Sequence, residues 1–98
     1  MDYLLVFRSE VRDEINEAYN WYENQNLGLG DEFLDCVQEM LNRICLMPQS
    51  YAIVYRDVRR AVVKRFPYAI YYRVVSNKVI VTAIFHSRRD RKSWQART

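Results

Sequence analysis

Glycine is almost missing from this chain: only Gly28 and Gly30 occur in 98 residues. No glycine-rich phosphate loop can be built from them, and no nucleophile elbow is present. Histidine occurs once, at His86, which excludes histidine-rich metal sites. The two cysteines, Cys36 and Cys45, have no zinc-type spacing. Nine residues apart on one predicted helix, they point to opposite sides about 13 Å apart, too far for a disulfide, and read as buried thiols. No apolar run is long enough to span a bilayer, and no basic, apolar, small-residue leader opens the sequence. The expected location is the cytoplasm, with no membrane partner, no metal and no cofactor. No repeat, low-complexity tract or linker divides residues 1–98, so a single domain is expected.

What the chain has instead is aromatic residues and a split charge. Half of the residues are hydrophobic and 14% aromatic, which suits a folded globule. Residues 1–50 hold three Lys/Arg against ten Asp/Glu; residues 51–98 hold twelve against two. Balances of −7 and +10 therefore hide inside a net charge of +3. Such a polarised molecule has either internal complementarity between its halves or a basic face for a nucleic acid or acidic partner.

In chain order, Tyr3 to Phe7 is a nearly continuous apolar run, the pattern of a strand buried on both faces. Ser9 stands where a helix N-cap would, ahead of Glu10, Asp13 and Glu14. Val11, Ile15, Ala18, Tyr19 and Tyr22 then form a helical stripe, with Trp21 off it. A second helix is expected from an Asp31 cap, with Phe33, Leu34, Val37, Leu41 and Ile44 inward and Pro48 closing it. Gly28 and Gly30 lie in the turn between the two. Tyr51 to Tyr55 suggests a short strand or extended lead-in, Val58 to Phe66 a strand, and Tyr68 to Val75 and Val79 to Phe85 an antiparallel hairpin across Ser76-Asn77-Lys78. The order β-α-α-β-β-β implies an α+β fold: a helical hairpin packed on a small, twisted, mainly antiparallel sheet. Alternation puts Tyr68, Ile70, Tyr72 and Val74 on the core face, and Ala69, Tyr71, Arg73 and Val75 on the other. It also puts Val79, Val81, Ala83 and Phe85 on one face of the last strand, opposite Ile80, Thr82, Ile84 and His86.

The chemistry-bearing residues are basic and aromatic: Arg59, Arg60, Lys64, Arg65, Arg73, His86, Arg88, Arg89, Arg91 and Lys92, with Tyr68, Tyr71 and Trp94. Such a set can cleave RNA without a metal. A base takes the 2′-OH proton, cations stabilise the phosphorane, and an acid protonates the 5′-oxygen. His86 is the group whose ordinary titration range suits both proton roles, and aromatic faces can stack bases. The alternatives are a strand-end histidine bonded to backbone and basic residues that only solvate a face.

The stretch Arg65-Phe66-Pro67-Tyr68-Ala69-Ile70-Tyr71-Tyr72-Arg73, followed by a short turn, a β-branched strand, His86-Ser87-Arg88-Arg89-Asp90 and Trp94, resembles the RelE/ParE toxin superfamily. The first strand and the helical hairpin closed by Pro48 agree, so the resemblance covers nearly the whole chain. It implies the toxin of a bacterial type II toxin–antitoxin pair, of the kind also described as plasmid stabilisation proteins. The implied partner is an antitoxin whose C-terminal segment wraps the toxin in a hetero-oligomer. RelE-like members are mRNA endoribonucleases of the ribosomal A site; ParE-like members inhibit DNA gyrase.

The RelE-like pattern has an arginine where this chain has Ala69, and a basic catalytic residue where it has Val62, flanked by Arg60 and Lys64. Arg89 matches that pattern's proton-donating arginine. The Phe66-Pro67-Tyr68 and His86-to-Asp90 segments are closer to ParE-like members, so gyrase inhibition is the expectation and ribosome-dependent cleavage the alternative. For cleavage the candidates are His86, Arg89, Arg60 and Lys64; for antitoxin or nucleic-acid binding, Arg59, Arg65, Arg73, Arg88, Tyr71 and Trp94. A non-toxic interaction module is the third reading.

Overall fold

A computed structural model describes residues 3–88 and 94–96. Strand β1 (Leu4–Phe7) leads into helices α1 (Ser9–Gln25) and α2 (Leu29–Leu46). A 3-10 turn (Pro48–Ser50) follows, then strands β2 (Ile53–Tyr55), β3 (Val58–Val62), β4 (Tyr68–Val75) and β5 (Lys78–His86). The strands form one sheet in the order β1-β5-β4-β3-β2. Only β1 runs parallel to its neighbour; the other pairs are antiparallel. The α+β fold expected from the sequence is the fold observed.

The helical hairpin is held by a polar clasp. Gly28 takes φ +91°, a conformation glycine adopts without steric cost, and turns the chain into α2. The Glu23 carboxylate accepts the Gly28 and Gly30 N–H groups, both at 2.9 Å, so α1 supplies the cap for α2. A Cβ on Gly30 would sit 2.8 Å from the Tyr19 ring and the Glu23 carboxylate, which is why this position has no side chain. Asp31 therefore lies inside the first turn of α2 rather than capping it. Ser9 likewise begins α1 after an Arg8 N-cap that makes no side-chain capping bond. Both expectations erred because the Glu23 carboxylate from α1 serves the start of α2 in place of Asp31, and α1 begins one residue early, without a side-chain cap.

Val11, Ala18 and Tyr22 of α1, with Phe33, Val37, Leu41 and Ile44 of α2, pack on Ala61, Ile70, Tyr72, Val79, Val81 and Ile84. Leu34 falls outside this stripe and is 36% exposed. Cys36 and Cys45 are free thiols on opposite edges of it, half-buried, and burial pushes the Cys45 thiol up. Phe66 joins an aromatic group, with ring centroids 4.9 Å from Tyr22 and 5.4 Å from Phe33. To bring Phe66 there the chain leaves β3 at Val62, and Arg65 adopts φ +74°. The strand expected to reach Phe66 is shortened by that turn.

Two further expectations are corrected. β1 is an edge strand, not one buried on both faces: Leu4 and Phe7 are 56% and 44% exposed. A short apolar run does not distinguish the two cases, since an edge lacks a neighbour on one side whatever its composition. In β5 the alternation breaks. Tyr71 pairs with Ala83 but Tyr72 with Val81, leaving Thr82 as the extra residue of a β-bulge, its hydroxyl donating to the Tyr71 carbonyl at 3.2 Å. Val79, Val81 and Ile84 consequently face the helices, while Ala83 and Phe85 face the opposite side. Beyond the end of β1, the Glu14 carboxylate of α1 accepts the Ile84 N–H at 3.0 Å, replacing a missing strand neighbour.

Candidate functional site

The basic and aromatic residues separate between the two faces of the sheet. On the face away from the helices, Val58, Ala69, Tyr71, Ala83, Phe85 and Trp94 form a second, smaller core, with Tyr55 beside it. Trp94 stacks on Tyr71 with centroids 4.2 Å apart and planes 20° apart, and meets Tyr55 edge-on at 6.0 Å. Trp94 is only 6% exposed, so its ring is already covered where a base would have to stack. Arg60 projects from β3 onto the same cluster. Its Nε donates to the Tyr71 hydroxyl at 3.2 Å, and its guanidinium lies 6.0 Å from the ring centroid.

Alternation along β3 explains this placement. Val58, Arg60 and Val62 share the open face, whereas Ala61 and Val63 enter the helix-side core. Ala69, opposite Val62 on one side and Phe85 on the other, is fully buried in the second core. A long cationic side chain at that position would have to displace Phe85 or Trp94.

His86 is on the other face. It pairs with Tyr68 across the β4–β5 ladder, and the two rings meet edge-on at 5.6 Å. An open groove of about 780 Å³ runs beside it, lined by Glu17, Trp21 and Tyr22 of α1 together with Pro67, Tyr68 and His86. His86 Nδ1 accepts the Arg88 N–H at 3.1 Å, which puts the proton of the neutral ring on Nε2. In that tautomer Nε2 donates a proton and does not accept one. Arg88 itself is exposed, while Arg89, Arg91 and Lys92 lie outside the described residues.

Three further cations, Arg59, Arg65 and Arg73, are engaged in holding the fold. Arg59 donates to the carbonyls of Gln49 at 3.0 Å and Tyr51 at 2.6 Å, tying the 3-10 turn to β3. Arg65 pairs with Glu32 of α2 at 2.7 Å. Arg73 grips Asp57 through Nε at 2.9 and 3.1 Å and through a terminal nitrogen at 2.9 Å. Lys64 is exposed at the β3–β4 turn. Of the ten residues singled out in the sequence, the structure thus unites Arg60, Tyr71 and Trp94, sets His86 apart from them, and gives Arg59, Arg65 and Arg73 partners within the chain. The Trp21–Glu17 side of the groove escaped the sequence reading, although Trp21 lying off its helical stripe was the available signal. Among the described residues, no group of three or more His, Cys, Asp or Glu side chains could hold a metal ion. No described helix is long and apolar enough to cross a membrane.

Over residues 5–91 the chain matches the family model of the ParE toxin of the type II toxin–antitoxin system, parDE. It belongs to the ParE toxin family. No curated protein matches it in sequence. Among solved structures, a chain of the chromosomal ParDE toxin–antitoxin system from P. aeruginosa superposes with TM-score 0.76 at 14% identity, covering 86% of this chain and 95% of that one. A double arginine-to-alanine mutant of the E. coli toxin RelE in the free state gives TM-score 0.72 at 15% identity, covering 99% and 94%. At such identities the two neighbours share the fold of this ParE-family chain and say nothing of its individual side chains.

Proposed function

We propose that this ParE-family protein is the toxin of a type II pair, held inactive in a hetero-oligomer by a cognate antitoxin in the cytoplasm. Released, it inhibits growth by binding DNA gyrase and not by cutting mRNA. One observation carries the choice of target: Arg60, with its aromatic neighbours, and His86 lie on opposite faces of the sheet. A single phosphodiester cannot contact both, yet cleavage needs proton transfer and charge stabilisation at one phosphorus. The fully buried Ala69 supports the same reading, because the β4 position beside Val62 and Phe85 supplies no cation. Inhibition by docking needs only a shaped surface.

Ribosome-dependent endoribonuclease activity is the second reading. It draws on Arg60 poised over Tyr71 and on exposed Lys64, with His86 and Arg89 as the remaining candidate groups. In that reading Arg59, Arg65, Arg73, Arg88, Tyr71 and Trp94 contribute binding. The neighbour described as a ParDE system supports an antitoxin partner for this chain. The test is induced expression in bacteria together with purified-component assays. Loss of supercoiling by gyrase and a DNA-damage response, without ribosome-linked mRNA cuts, is the expected result. Cuts that disappear in both His86→Ala and Arg89→Ala would replace it with the nuclease reading. Unimpeded growth with abundant folded protein would leave only the interaction module.

A further inference from the structure

The groove between α1 and the β4–β5 strand ends has a chemistry unlike the rest of this basic protein. Its lining combines aromatic faces and one carboxylate: Trp21, Tyr22, Tyr68 and His86 surround it, and Glu17 stands at its rim. Of the 15 lysines and arginines in the chain, none is among the described residues that line it. Trp21 is 58% exposed although α1 has a fully formed apolar stripe elsewhere, so core packing does not account for this indole. It meets Tyr22 in a T-shaped contact at 5.1 Å, so the two rings are not stacked face to face. Glu17 is exposed and precedes Trp21 by four residues, so the carboxylate and the indole share one side of the helix. A contiguous smaller hollow shares Glu17, Tyr68 and His86 and adds Glu14, whose carboxylate holds the Ile84 N–H.

An exposed indole face beside a carboxylate is complementary to a cation with an aliphatic stem. The ring quadrupole attracts the charge, the carboxylate pairs with it, and the aromatic walls cover the methylenes. An anion would meet the Glu17 charge and has no described lysine or arginine to receive it. We propose that this groove is a docking site for an arginine side chain presented by a partner polypeptide. Arginine fits better than lysine because its planar guanidinium stacks on an aromatic face while its edge donates to a carboxylate. The charge balance of the chain agrees: the helical half carries −7, so a cationic segment is drawn to it over a range at which the basic half repels it. The inference does not depend on whether gyrase or the ribosome is the target.

The test uses the full-length, isotope-labelled protein and two capped tripeptides, acetyl-Gly-Arg-Gly-amide and the same peptide with neutral citrulline. Citrulline keeps the shape and removes the charge. The arginine peptide is expected to shift the Trp21 indole N–H and the His86 ring resonances saturably, with the citrulline peptide binding about three- to tenfold more weakly. Glu17→Gln should weaken the arginine peptide by about threefold, and Trp21→Ala by at least as much. Both positions are exposed, so the substitutions leave the core intact, and the unchanged amide spectrum of β4 and β5 verifies folding. Equal responses to the two peptides, shifts confined to the open face around Tyr71, or wild-type binding in Glu17→Gln would each overturn the proposal.

Discussion

The two faces of the sheet are built by different means. The helix-covered face is closed by seven side chains from two helices that are clasped to each other through Glu23. Among the described residues, the open face is closed where Trp94 lies over Tyr71, and its far side leaves Leu4 and Val75 56% and 40% exposed. One face is therefore a core made by the body of the domain, and the other a small core made by a single tryptophan from near the chain's end. Stability should reside in the first. Recognition has room in the second, and in the groove beside α1 at the edge of the first.

Truncations on the two faces should differ most. Phe33→Ala removes a ring with no exposed surface that touches Tyr22, Phe66 and Tyr68, and it should cost about 4 kcal/mol by analogy with other buried aromatic deletions. Trp94→Ala should cost about 2 kcal/mol, since its site opens to water and leaves a smaller enclosed void. Urea denaturation measures both. Equal losses would mean that the open-face core is as integral to folding as the helical one.

Ala69→Arg probes the open face from beneath. The longer side chain enters a fully buried site in the cluster that holds Phe85 and the Trp94 stack. A loss of about 3 kcal/mol is expected, from overpacking together with incomplete solvation of the guanidinium. Quenching of Trp94 fluorescence, read in a Trp21→Phe background, would report whether the tryptophan is expelled. If the variant instead keeps wild-type stability and the stack stays intact, Ala69 is not the steric keystone of this face.

The helix-side core also has a titratable group that responds to alkali. Tyr72 is fully buried and donates to the Pro48 carbonyl at 2.7 Å; burial, with smaller effects from Tyr51 and Cys45 against an opposing one from Arg59, pushes its hydroxyl up to about 12. Because the folded protein binds this proton more tightly than the unfolded chain, the contribution is intact below pH 10. It is lost progressively as pH rises from about 10 toward about 12. Tyr72→Phe should lower neutral-pH stability by about 1–2 kcal/mol, since the carbonyl loses its buried donor. It should also flatten the alkaline decline relative to the parent. An unchanged decline would assign that titration to other tyrosines.

The sequence made the helix-covered face largely legible because its signals are periodic. The stripes through Val11, Ala18 and Tyr22 and through Phe33, Val37, Leu41 and Ile44 were readable at helical spacing, and Ile70 and Tyr72 followed from strand alternation. What resisted reading was set by contacts distant in the chain. Nothing local in Val79 to Phe85 announces that Thr82 is an extra residue, yet that one bulge turns Ala83 and Phe85 to the open face. Basic residues were visible as a group, but their partners were not: Asp57 for Arg73, Glu32 for Arg65 and two carbonyls for Arg59 became apparent only in three dimensions. Arg60 and His86 were both candidates for one cleavage site, and only the register and parity of β3 and β5 put them on opposite faces.

The smallest effect concerns the best-formed ion pair on the open face. Arg73 and Asp57 meet through three short contacts, yet their side chains remain 40% and 58% exposed. Solvent screens such a pair, so Arg73→Ala should cost only about 0.5 kcal/mol, and the coupling to Asp57→Ala in a double-mutant cycle should fall further in high salt. If stability is barely altered while binding of a cognate antitoxin or of gyrase drops tenfold, Arg73 is held in place by Asp57 for recognition. If both change in proportion, the pair is a fastener for the β2–β3 turn, and the open face loses a recognition residue that its charge had suggested.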